Sequence, residues 1–168
     1  LHGLLSSVRY RRLAGTSVMR DFVELPSQLL EHWATHPRVL GELARHCETG
    51  APMPDALIAK VRAAARFNQG FDAVEYTASA LLDLALHARP DAGELDLAAF
   101  ERSELERLGM PREIVMRHRL PHFLHIFSGS DYASAYYVYL WPAVLDPDAF
   151  GAFDEAGDPF DSATAARL

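Results

Sequence analysis

The chain has 168 residues, 49% of them hydrophobic, which is the size and apolar content of one domain with a buried core. Its formal net charge of −7 lacks the basic field that nucleic acids and anionic membranes attract, so neither is an expected partner, and peptides or small molecules fit better. The single cysteine, Cys47, cannot form an internal disulfide, no apolar run approaches the roughly 20 residues of a membrane span, and Lys60 stands alone among arginines. The cytoplasm of a bacterium is the expected compartment.

Leu1-His2-Gly3-Leu4-Leu5 opens without a Met or a capping side chain and reads as the last turns of a helix whose start is missing. Residues 6–16 are irregular. A helix is predicted from about Val18 to Thr35, with Phe22, Leu25, Leu29 and Trp33 forming its apolar face and Pro26 kinking it beside Glu24. Further helices are expected from Pro37 to His46, Pro54 to Phe67, Phe71 to Ala88 and Leu97 to Leu108. They are separated at Thr49-Gly50-Ala51-Pro52, Asn68-Gln69-Gly70, Arg89-Pro90-Asp91-Ala92-Gly93 and Gly109-Met110-Pro111. The period is lost around Leu120 to Phe127, and Ser128-Gly129-Ser130-Asp131 forms a polar loop. A last strong helix is expected from Tyr132 or Ala133 to about Leu145, bent by Pro142 or ended by Asp146-Pro147. The segment from Asp158 to Leu168 begins another helix and stops without a terminator. The fold class is therefore all-α, a multi-helix lobe cut at both ends.

Two segments carry polar residues that packing alone does not account for. On one continuous helix, at about 100° per residue, Asp21, Glu24, Gln28 and Glu31 fall along one side, opposite the apolar face. Spacing leaves open both a solvated acidic stripe and a site, and one carboxylate does not make a zinc site, which takes three protein ligands and a water. In the second segment Tyr132, Tyr136 and Tyr139 share one side of the predicted last helix, beside a core face of Tyr137, Leu140, Trp141 and Val144. A buried hydroxyl without a partner costs about 1–3 kcal/mol, so three phenols on one strip call for a polar cleft. The preceding Gly/Ser loop suits recognition of an extended peptide backbone. Spacing again leaves core and function both open.

Together the two segments resemble a known group of enzymes, the thimet oligopeptidase, oligopeptidase A and peptidyl-dipeptidase family of zinc metallopeptidases. Leu1-His2-Gly3-Leu4-Leu5-Ser6 is similar to the end of the family's HEFGHALHxLLS string, which places the HExxH just before Leu1. Asp21-Phe22-Val23-Glu24-Leu25-Pro26-Ser27-Gln28 is similar to the DFVExPSQ segment, whose glutamate is the third zinc ligand. His125, Gly129, Tyr132 and Tyr139 match the string HIFxGxYAxxYYxYLW, although Ser128-Gly129-Ser130-Asp131 is less glycine-rich than the family loop.

The resemblance implies that residues 1–168 are the C-terminal part of the catalytic domain of a larger helical zinc peptidase, lacking the HExxH helix. It implies one zinc ion per intact enzyme and short peptides as substrates, processed by dipeptide removal or internal cleavage. Glu24 would be the metal ligand, with Asp21, Gln28 or Glu31 orienting the groups that bind the metal. Tyr139 would donate to the oxyanion, His125 and Tyr132 would contact the substrate or the intermediate, and Gly129 and Tyr136 would contact the substrate. The missing N-terminal part of the same protein is the implied partner, and apolar surfaces left by its absence could pair copies of the fragment, which alone is expected to be inactive. The competing readings are a non-catalytic helical module binding peptides or partner helices through the tyrosines, and a purely structural helical domain. His32, His36, His46, His87 and His118 show no ligand spacing and read as surface or packed residues; His2 reads as packing or as support for the metal site, and Cys47 as an inert thiol.

Overall fold

The computed structural model describes residues 2–91 and 93–167. Leu1, Ala92 and Leu168 belong to the predicted opening helix, third break and closing segment, and they lie outside the described residues. Among those described, ten α-helices occur and no strand: α1 (His2–Leu5), α2 (Arg20–Val23), α3 (Leu25–Thr35), α4 (Pro37–Leu43), α5 (Asp55–Ala64), α6 (Gln69–His87), α7 (Leu97–Arg107), α8 (Leu124–Phe127), α9 (Leu140–Ala156) and α10 (Ser162–Ala165). Short 3-10 turns cover Arg11–Leu13, Leu120–His122 and Tyr136–Tyr139. The all-α expectation holds. No helix of the described residues is long and apolar enough to cross a membrane. The chain divides into two units, residues 1–67 with 139–168, and residues 68–138.

The first unit is organised by α3 against α9. Leu29, Phe150 and Phe153 are buried together, with Trp33 and Ala149 packed on them. Trp33 meets Phe150 and Phe153 edge-on, each with ring centroids 4.9 Å apart, and its indole N–H donates to the Pro159 carbonyl at 2.7 Å. His32 stacks on Phe150 at 4.7 Å and places Nε2 3.3 Å from the buried Asp146 carboxylate, so this histidine belongs to the packing. Local chemistry sets the helix starts. His36 Nδ1 accepts the Arg38 N–H at α4, and Asp161 accepts the Thr164 N–H at α10, which holds the Asp161 carboxyl below its usual range. Phe153→Ala removes the most enclosed ring of this core and is expected to destabilise the protein by about 3–5 kcal/mol, read as a lower urea midpoint at unchanged m value.

The second unit is built on α6, entered at Asn68 in the left-handed region (φ 55°) and followed by α7, whose N-cap Asp96 accepts the Ala98 and Ala99 N–H groups at 3.0 Å. Leu82, Leu120, Phe123, Ile126, Tyr136 and Val138 form its buried apolar centre. The buried Glu101 carboxylate of α7 accepts the Leu120 N–H at 2.9 Å and pairs with Arg119, which fixes the 3-10 turn leading into α8.

Several expectations are corrected. The helix predicted from Val18 to Thr35 is two helices meeting at Glu24, and Pro26 occupies the first turn of α3, where its missing N–H needs no partner, so it starts a helix and kinks none. Phe22, assigned to the apolar face, is exposed. The helix predicted from Tyr132 to Leu145 begins at Leu140 and runs on through Pro147 to Ala156, because Phe150 and Phe153 pack against α3 beyond the proline; Gly157 at φ 72° ends it. Consequently the buried residues of α9 are Pro142, Asp146, Phe150 and Phe153, and Tyr137, Leu140, Trp141 and Val144, expected in the core, are exposed.

Candidate active-site residues

Glu24 stands between two helices. Its backbone, at φ −90° and ψ −7°, closes α2 and opens α3, donating its N–H to the Phe22 carbonyl and accepting the Gln28 N–H at 3.0 Å. The Ser27 hydroxyl lies 2.8 Å from the Glu24 carbonyl and 3.0 Å from Oε2, which steadies the half-buried carboxylate from one side. Oε1 has no hydrogen-bond partner among the described residues. One turn on, Gln28 Oε1 is a buried acceptor with no partner among those residues, and His2 Nδ1 is in the same condition, its ring edge-on to Phe22. A buried polar atom left in this state costs about 1–3 kcal/mol. Asp21 is half-buried beside an apolar cleft lined by Leu13, Met19, Phe22, Trp141 and Leu145, and Glu31 is exposed. The single acidic stripe is therefore broken at Glu24, with Asp21 on α2 and Gln28 and Glu31 on α3.

These residues fit a metal only in part. Among the described residues no group of three His, Cys, Asp or Glu side chains could hold an ion. Glu24 has the chemistry of one carboxylate ligand, and Gln28 Oε1, one turn on, is a buried acceptor with no partner among the described residues.

The tyrosine strip is also rearranged. Glu24 and Tyr139 lie in the first unit; His125, Gly129, Tyr132 and Tyr136 lie in the second. Within that second unit the His125 and Tyr132 rings approach to 4.3 Å, and His125 meets Tyr136 edge-on at 5.4 Å. His125 and Gly129 are exposed, whereas Tyr132 is half-buried. Tyr136, expected to contact substrate, is buried among aromatic rings. It is 7% exposed, with Tyr76 stacked on it at 5.1 Å and Phe123 edge-on at 4.8 Å, and burial pushes its phenol above the ordinary range despite the Arg117 guanidinium nearby. The three tyrosines do not share a helical strip, since Tyr132 precedes the 3-10 turn in which Tyr136 and the half-buried Tyr139 stand at opposite ends.

Sequence reasoning missed the group that holds this segment. Asp83 of α6 is wholly buried; Oδ1 accepts the Ser134 N–H at 3.1 Å, and Oδ2 accepts the Tyr136 N–H at 3.0 Å. His87, one turn on, brings Nδ1 to 2.7 Å from Oδ1. Ser134 has φ 59°, a left-handed conformation that costs a residue other than glycine about 1–2 kcal/mol. The visible sign was a lone carboxylate inside the apolar run from Ala78 to Leu86, with a histidine four residues later.

Peptidase family M3 matches residues 1–167. The chain belongs to peptidase family M3. Over 163 residues it is 43% identical to the dipeptidyl carboxypeptidase of Escherichia coli (strain K12), covering 94% of this chain and 23% of that protein. It is 38% identical over 161 residues to oligopeptidase A of the same organism, with the same coverage of each. The similarity extends to the mitochondrial intermediate peptidase of Aspergillus clavatus, 34% identical over 171 residues, covering 94% of this chain and 21% of that protein. This M3 chain thus spans about a quarter of the length of the curated relatives it matches. Membership agrees with the resemblance to the oligopeptidase and peptidyl-dipeptidase family drawn from the sequence.

Proposed function

We propose that this chain is part of the catalytic domain of a zinc peptidase that hydrolyses peptide bonds in short peptides, with Glu24 as one of its metal ligands. The observation that carries the reading is the junction at Glu24: a carboxylate fixed by Ser27 between two helices, one turn from the unsatisfied acceptor of Gln28, in a chain of peptidase family M3. Gln28 would orient a metal-binding imidazole through Oε1, a role in which Asp21 and the exposed Glu31 have less support. The chemistry a bound zinc supplies is Lewis-acid activation of the attacking water and of the scissile carbonyl.

The chain's own residues bind and orient the peptide. Exposed His125 and the adjacent Tyr132 would meet it, with the backbone at Gly129 pairing with its main chain. The Tyr139 hydroxyl would donate to the carbonyl oxygen as negative charge gathers there. Tyr136 serves from below, as the buried ring on which His125 rests edge-on. The 168 residues contain no HExxH string, so alone they would supply one metal-ligating carboxylate, bind zinc weakly and cut nothing.

Metal dependence tests the reading. The full-length protein should cleave a short internally quenched peptide, lose that activity when a chelator strips its zinc, and regain it when zinc is restored. Unchanged cleavage by fully metal-free protein would overturn the proposal.

A further inference from the structure

The segment from Ser128 to Tyr136, Ser-Gly-Ser-Asp-Tyr-Ala-Ser-Ala-Tyr, carries Gly129 and Tyr132 and makes an internal turn in which the Ala135 N–H donates to the Tyr132 carbonyl at 3.0 Å. Further restraint comes from α6. The Asp83 carboxylate has no exposed surface, and each of its oxygens accepts a different main-chain N–H of this segment, Ser134 on Oδ1 and Tyr136 on Oδ2. His87 completes it from the helix side, with Nδ1 2.7 Å from Oδ1, and its ring rests against Phe127 at 5.8 Å. The Tyr76 hydroxyl donates to the Tyr136 carbonyl, so the peptide unit after the anchored amide is held as well. The amide of Ser134 belongs to a residue in the left-handed region, a conformation this serine would leave if nothing held it. Tyr132 stands two residues before that anchor, with its ring against His125.

We propose that Asp83 is a positioning residue for peptide recognition: its carboxylate, oriented by His87, locks the left-handed turn at Ser134 and so sets Tyr132 against His125. The buried carboxylate takes two of its three converging donors from this segment, and any other course of the segment would leave it with His87 alone. The loop is thereby ordered before substrate arrives, and binding need not order it. This inference rests on the peptidase reading.

The test uses the full-length zinc-loaded enzyme and Asp83→Asn, which keeps the size of the side chain but turns an NH2 group toward one of the two amides. Its kcat/KM on a short internally quenched peptide is expected to fall about 10- to 100-fold, carried by KM, with zinc stoichiometry unchanged and amide exchange faster across 128–136. Ser134→Val leaves Asp83 in place but disfavours the left-handed turn, and it should reproduce the KM effect even if the Asp83 variant fails to fold. Wild-type KM and wild-type loop exchange in folded, zinc-loaded Asp83→Asn would overturn the proposal, as would wild-type KM in Ser134→Val. If the unaltered protein cleaves no peptide at any zinc level, the peptidase reading fails, and loop exchange alone then decides whether Asp83 orders the segment.

Discussion

Glu24→Ala in the full-length protein is expected to abolish peptide hydrolysis and to weaken zinc binding by more than about 100-fold, since losing a partner that merely orients a ligand already costs about 10- to 100-fold. The fold should survive. Glu24 is half-buried at a helix junction, its side chain bonds only to Ser27 among the described residues, and the core of its unit lies at Leu29, Phe150 and Phe153. Thermal unfolding of the metal-free variant should therefore match that of the metal-free parent, while zinc titration separates the two proteins. Full zinc content in Glu24→Ala would remove Glu24 from the ligand set, whatever its activity.

Tyr139→Phe is expected to lower kcat by about 10²- to 10³-fold, the range for removing one oxyanion donor, and to leave KM and zinc content nearly unchanged. The substitution deletes one oxygen and keeps the ring that ends the 3-10 turn before α9. A group that meets the carbonyl oxygen only as charge develops contributes nothing to ground-state binding, hence the split between kcat and KM. The Asp83 variant should show the opposite split. Turnover by Tyr139→Phe close to the parent's would show that another donor serves the oxyanion.

Much of the helical architecture was legible. The elements from Pro37 to Arg107 appear within a few residues of their expected limits, because each combines a long apolar period with a local terminator such as Pro54, Asn68 or Gly109. The failures have tertiary causes. Tyr132 to Tyr139 has helical spacing, but the Ser134 and Tyr136 N–H groups that an α-helix would pair within itself are taken by a carboxylate 51 and 53 residues away. Pro147 reads as a stop, and α9 passes through it because Phe150 and Phe153 are buried beyond. As for the site, the motif around Glu24 could be read from its residues, while the break in the helix there could not, since Phe22, Leu25, Leu29 and Trp33 keep the apolar period across it. Asp83 was visible as an oddity on an apolar helix, but local sequence does not name a partner so far along the chain.

The junction at Glu24 also bears on the entropy of metal capture. A carboxylate on a mobile loop would surrender backbone freedom on meeting an ion, a loss of about 1–2 kcal/mol for each residue fixed. Here α2 and α3 set the dihedrals of Glu24 from both sides, the pyrrolidine of Pro26 restricts the chain that follows, and Ser27 limits the rotamers of the side chain. If Glu24 ligates a metal, little disorder is left to remove when it does so.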